Sequence, residues 1–174
     1  MIQKLENIVI EGSAGKPILI DATFKANTEP KAVVVFCHGF KGFKDWGPFN
    51  KIATHFAQQD FVFVKFNFSY NGTTPTNPVD FDDLKAFGEN NFCKELDDLA
   101  LVLNWIKTCD ILKGEVDKTN ISLFGHSRGG GIAMLKTAED KSISKAISWA
   151  SPAFSFRKVR SSCTFISNCP RKRS

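Results

Sequence analysis

The chain has no run of about 18 apolar residues, so nothing in it reads as a helix that crosses a membrane. It has no CxxC pair. Its five cysteines (Cys37, Cys93, Cys109, Cys163 and Cys169) are odd in number and spaced neither as metal ligands nor as a secreted disulfide framework. The expectation is reduced, mostly buried thiols in a cytoplasmic protein with no metal and no organic cofactor. The opening stretch "MIQKLENIVIEG" is too polar for a signal peptide. Tyrosine occurs once against 17 phenylalanines, an apolar way to fill a core from which no function follows. There is no internal repeat. Two further absences matter below: no acid follows Asp140, and no histidine follows His126.

What is present fits one soluble domain. A chain of 174 residues can bury a real core, and 43% apolar with 24% charged residues is ordinary for a globular protein. The net charge of +5 misleads. Six of the 23 Lys and Arg residues lie between Ala153 and Ser174, which hold no acid, leaving 17 against 18 acids in residues 1–152. The body is near neutral, and a nucleic-acid partner inferred from the high pI would rest on the tail alone. No nucleic-acid or membrane partner is expected, and the sequence says nothing of oligomeric state.

The pattern along the chain alternates strands and helices. Lys4–Ile10 and Pro17–Phe24 read as strands joined by the "EGSAGK" turn. "KAVVVFCHG" is a continuous apolar run rich in β-branched residues, the mark of a strand buried on both faces of a parallel sheet. Gly47 and Pro48 open a helix that places Phe49, Ile52, Ala53 and Phe56 on one face. "FVFVKFNF" is a second buried strand, and Ser69 to Asn90, rich in Pro, Thr, Asn and Gly, reads as one long loop. Phe92, Leu96, Leu99, Leu103 and Ile106 recur at helical spacing. "NISLFGHS", "RGGGIAMLKTAED" and "SKAISWAS" follow as strand, helix and strand. The expected fold is an open, mostly parallel α/β sheet flanked by helices.

Two turns carry chemistry. Gly125-His126-Ser127-Arg128-Gly129 lies between a buried strand and a helix, the context in which G-x-S-x-G places a serine nucleophile on a tight turn. Side chains two positions before and after that serine would collide, hence Gly125 and Gly129. His38-Gly39-Phe40-Lys41-Gly42 follows the first buried strand. Its backbone can aim the Phe40 N–H, or that of Lys41, toward Ser127, and with the Arg128 N–H this makes a two-donor oxyanion hole. Asp45 and Trp46 are expected at the pocket rim, with a helix-entry role for Asp45 equally open. Asp80, Asp82 and Asp83 read as a solvated face.

On "VVVFCHGFKGFKDWG", "FVFVKFNFS" and "ISLFGHSRGGG" the chain resembles the α/β-hydrolase superfamily, nearest its small dienelactone-hydrolase and serine-aminopeptidase members, over roughly residues 1–152. The resemblance implies hydrolysis of a small-molecule ester, amide or thioester through an acyl-enzyme at Ser127. It also implies that His38 hydrogen-bonds within the oxyanion turn. It names no substrate.

In that superfamily the acid and histidine follow the nucleophile in the chain. Here only Glu139 and Asp140 follow Ser127, at the wrong end of a parallel sheet, and no histidine does. His126 is expected to point away from Ser127 and pack below it, and His55 to lie on the first helix. The chain thus reads as a hydrolase domain lacking its last strands and helices, with a basic tail over 153–174 that is disordered or out of frame. Its turnover is expected to be poor. The alternative is an inactive remnant or binding module that keeps the pocket.

Overall fold

The computed structural model describes residues 1–152. The expectations for the tail after Pro152 lie outside those residues. The described elements are β1 (Ile2–Glu11), β2 (Pro17–Lys25), β3 (Lys31–Cys37), α1 (Phe49–Gln58), β4 (Val62–Asn67), α2 (Leu84–Gly88), α3 (Phe92–Thr108), β5 (Val116–His126), α4 (Arg128–Glu139) and β6 (Ile143–Trp149). The sheet order is β1-β2-β4-β3-β5-β6. β2 runs antiparallel to β1 and β4, and β4, β3, β5 and β6 are parallel. This is the α/β-hydrolase arrangement expected from the sequence.

The two faces of the sheet are covered by different chemistry. Leu96, Leu99, Val102, Leu103 and Ile106 of α3, with Ile132, Ala133 and Leu135 of α4, close an aliphatic core over Ile18, Ile20, Val33, Val35 and Leu123. On the other face α1 packs rings: Phe49 lies 4.2 Å from Phe36, and Phe56 lies 5.2 Å from Phe63. Much of the phenylalanine excess is spent on this layer, where each ring buries a large apolar area.

Parallel register aligns the chemistry at one edge. Cys37 pairs with both Phe66 and Gly125, and His126 pairs with Trp149. The residues that follow these strands (His38, Phe68, Ser127) therefore emerge together at the carboxyl edge, where ligands bind in open α/β sheets. Glu139 and Asp140 end α4 and precede β6, at the opposite edge as expected.

Two expectations change. The Ser69–Asn90 segment is not loop throughout: α2 forms within it, its first turn capped by Asp83, whose Oδ1 accepts from the Ala86 N–H at 2.9 Å. Asp83 also pairs with Lys16 at 2.6 Å, so it does structural work that periodicity over so short a helix could not show. Cys37 and Cys109 are free thiols, but Cys93 is disulfide-bonded, against the expectation of reduced cysteines throughout. β6 is largely exposed, with Ile147 at 51% and Trp149 at 45% of full accessibility. It has β5 on one side and no described strand on the other. No described helix is long and apolar enough to cross a membrane.

Candidate active site

The strand-to-helix turn after β5 is as tight as its glycines imply. Ser127 sits at φ 53°, ψ −123°, a conformation that costs a non-glycine residue about 1–3 kcal/mol and is held only by its surroundings. Those surroundings are visible. The Ser127 N–H donates to the Trp149 carbonyl at 2.8 Å, and the Gly130 N–H donates to the Ser127 carbonyl at 3.0 Å. A Cβ on Gly125 would land on the Gly129 carbonyl, and one on Gly129 would land on the carbonyls of Cys37 and His38. α4 thus starts hard against the end of β3, with Gly129, Gly130 and Gly131 all buried.

The Gly39–Gly42 turn faces the serine. Its Gly42 N–H donates to the Gly39 carbonyl at 3.0 Å, and Lys41 takes a left-handed φ of 54°. A Cβ on Gly39 would come within 3.0 Å of the Ser127 Cβ, so the turn touches the serine backbone to side chain. No turn or loop hydrogen bond among the described residues uses the N–H of Phe40 or of Arg128. The Phe40 ring itself is 61% exposed and lies 5.4 Å from Phe87 of α2, which links the long segment after β4 to this turn.

His38 is buried and fully engaged. Nδ1 donates to the Gly39 carbonyl at 2.9 Å, which leaves Nε2 as acceptor for the Phe68 N–H at 3.3 Å. The ring thus ties the Gly39 carbonyl to the Phe68 N–H. Burial pulls its pKa from 6.5 down to about 4, against the bond to the Gly39 carbonyl, which favours the charged form. A linkage effect follows. The unfolded chain binds this proton near pH 6.5 and the folded chain only near pH 4. As pH falls through that window His38 should therefore cost up to about 3 kcal/mol of stability. Glu95 and Asp98, both raised by burial, push the other way. Urea unfolding across this range should show a shallower loss in His38→Gln than in the wild type; equal slopes would remove His38 as the cause.

His126 corrects the expectation. Its ring is half-buried among Trp46, Phe49 and Trp149, at 6.3, 5.9 and 5.0 Å between centroids. It packs on aromatic neighbours, yet it also forms part of a cavity wall shared with Ser127 rather than lying wholly below it. That cavity, of about 210 Å³, is bounded by the Gly39–Gly42 turn, Trp46, Phe49, His126 and Ser127. Trp46 is therefore at the rim as expected, half-exposed. Asp45 is not a cap. It is the half-buried corner of a square of otherwise buried charges in which Lys44 bonds Asp21 at 2.7 Å and Asp45 at 2.6 Å, and Lys65 bonds Asp21 at 2.6 Å and also Asp45. Burial raises the Asp45 carboxyl, but the two lysines outweigh it and hold Asp45 below the usual carboxylate range. His55 is exposed on α1, away from this cavity.

Further residues escaped the sequence reading. Asn67 accepts from the Lys44 N–H at 2.6 Å, and Asn71 donates to the Gly42 carbonyl at 3.2 Å, so the segment after β4 clasps the turn after β3. Glu95 of α3 is buried and accepts from Arg128 Nε at 2.9 Å through both oxygens, while the Arg128 guanidinium lies 4.0 Å from the Phe92 ring centroid. The side chain next to Ser127 is thereby tied to α3.

The model of the S33 serine aminopeptidase family matches residues 28–169. The chain belongs to that family. The S33 match starts just before β3 and runs past Pro152, further than the motifs that first suggested a hydrolase. Among curated proteins none matches the chain. Solved structures share the fold at low identity. A putative dienelactone hydrolase from Klebsiella pneumoniae superposes with a TM-score of 0.67 at 17% identity, over 88% of this chain and 62% of its own. Est1E from Butyrivibrio proteoclasticus gives 0.64 at 19% identity, over 84% and 51%. Brefeldin A esterase, described as a bacterial homologue of human hormone sensitive lipase, gives 0.61 at 16% identity, over 96% and 46%. The chain thus spans about half to three-fifths of the length of these structures.

Proposed function

We propose that the chain is a serine hydrolase of the α/β-hydrolase type, in which Ser127 takes the acyl group of an ester, amide or thioester. The observation that carries the reading is the strained, glycine-cleared turn that presents Ser127 at the carboxyl edge of the sheet, in contact with the Gly39–Gly42 turn. In this reading the turn is a nucleophile elbow. The N–H groups of Phe40 and Arg128 hold the carbonyl oxygen as it becomes an oxyanion, helped by the amino end of α4. The Ser127 oxygen bonds the carbonyl carbon, the bond from that carbon to the leaving oxygen, nitrogen or sulfur breaks, and the leaving group departs with the electron pair.

No side chain among the described residues is hydrogen-bonded to the Ser127 hydroxyl to take its proton: both His38 nitrogens are committed, His126 shares the cavity wall without bonding that hydroxyl, and no histidine follows Ser127. That observation favours a second reading, a pocket that binds a carbonyl without turning it over. One experiment separates them. A p-nitrophenyl ester needs no proton donor for its leaving group, whereas deacylation needs an activated water, so acyl-enzyme should accumulate. The expected result is a burst of about one p-nitrophenolate per chain, absent from Ser127→Ala. No burst in the wild type would favour the binding reading.

A further inference from the structure

The cavity beside Ser127 says which acyl groups fit, and this inference rests on the reading of Ser127 as the acyl acceptor. At about 210 Å³ it falls below the 300–1,000 Å³ usual for sites of drug-sized ligands. A butanoyl group fits within that; an octanoyl chain does not. The walls are chiefly aromatic rings and bare backbone. Trp46 lies nearly parallel to His126, with 22° between the planes, and rests on Phe49 at 6.1 Å. Gly39 and Gly42 offer no side chain. Among the described residues no acid lines the cavity, and the one formal cation there, Lys41, is an exposed residue.

We infer that this cavity is the acyl pocket, that it takes short uncharged acyl groups, and that Trp46 sets its length. Two features single out Trp46. It is half-exposed at the mouth, so it closes the pocket outward instead of supporting the fold from within. It also follows directly on Asp45 and Lys44, which the buried charges anchor to β2 and β4, so its backbone is fixed and its ring is a firm stop. Aromatic walls reward each added methylene until the stop is reached, by about fourfold per fully buried methylene.

The test is the rate at which p-nitrophenyl acetate, butanoate and octanoate place their acyl group on Ser127, followed by intact mass. The step balances as above: the Ser127 oxygen–carbon bond forms, p-nitrophenolate leaves with its electron pair, and the serine proton passes to solvent. Butanoate, with two more methylenes, should react up to about fifteenfold faster than acetate, and octanoate at least tenfold slower than butanoate. Trp46→Ala should bring octanoate to the butanoate rate. Octanoate reacting as fast as butanoate in the wild type would overturn the inference, whatever the variant does. An unchanged preference in a folded Trp46→Ala would remove Trp46 as the stop. If no ester acylates Ser127 at all, the reading of Ser127 as nucleophile fails first, and the pocket assignment falls with it.

Discussion

Lys65→Met should be the most destabilising conservative-volume change in the protein, costing about 3–5 kcal/mol. Lys65 stands in β4 with its side chain only 3% exposed and bonds both Asp21 and Asp45. Asp21 and Lys44 are each 2% exposed, and Asp21 spends its other oxygen on the Asn7 N–H at 2.8 Å. Two lysines and two aspartates alternate, so the group is neutral and each charge has two opposite neighbours. Deleting one lysine leaves the buried Asp21 and the half-buried Asp45 to share the other, and the uncompensated charge, not the lost contact, dominates the cost. In a chain of this size that corresponds to a fall in Tm of roughly 6–20 °C. Lys145→Met, exposed on β6, should stay within about 0.5 kcal/mol of the wild type. Thermal unfolding by circular dichroism compares the two, and equal Tm values would mean that the square of charges does not hold β2, β4 and the loop after β3 together.

The next largest effect is expected at Gly125. An alanine there puts its Cβ onto the Gly129 carbonyl carbon and oxygen and the Gly130 Cα, all backbone of the first turn of α4. Backbone cannot swing aside as a side chain can. Either α4 shifts from the end of β3, where Gly129 already touches the Cys37 and His38 carbonyls, or the turn at Ser127 relaxes. Overpacking of this kind costs about 1–3 kcal/mol, and the relaxed turn should also lose at least tenfold in the rate at which Ser127 is acylated. The loss of both properties together is the diagnostic result. By contrast Gly47→Ala, at φ 59° with open space around its Cβ, should cost only the strain of a left-handed alanine, about 1 kcal/mol, and leave acylation unchanged. A Gly125→Ala protein acylated at the wild-type rate would show that the close packing beneath Ser127 is not what holds it.

These two positions mark what a sequence does and does not reveal. Gly125 and Gly129 were legible because the reason for them is local: a fixed spacing around a serine between a β-branched apolar run and a helix. The buried strands were legible for the same reason, since "KAVVVFC" and "NISLFG" carry their burial in their composition. Lys65 was not. A lysine inside "FVFVKFNF" signals only that a buried cation needs a partner. Its partners Asp21 and Asp45 lie on β2 and in the loop after β3, and only the sheet order β1-β2-β4-β3 brings them together. Local sequence therefore places Asp45 only at a rim or a helix entry. Asn67, Asn71 and Asp98 were missed likewise: Asp98 receives the Ser69 N–H and hydroxyl and the Ser13 N–H, contacts that span 29 and 85 residues of chain. α2 was missed on length, since five residues of helix inside a stretch rich in turn formers give no period to read.

The account stands on one atom, the hydroxyl oxygen of Ser127. The direct measurement is peptide-resolved mass spectrometry of the chain after brief exposure to p-nitrophenyl butanoate, with Ser127→Ala alongside. A single butanoyl group on the peptide that contains Gly125-His126-Ser127, absent from the variant, is the predicted result. Butanoyl groups scattered over surface lysines at equal levels in both proteins, with none on Ser127, would contradict it.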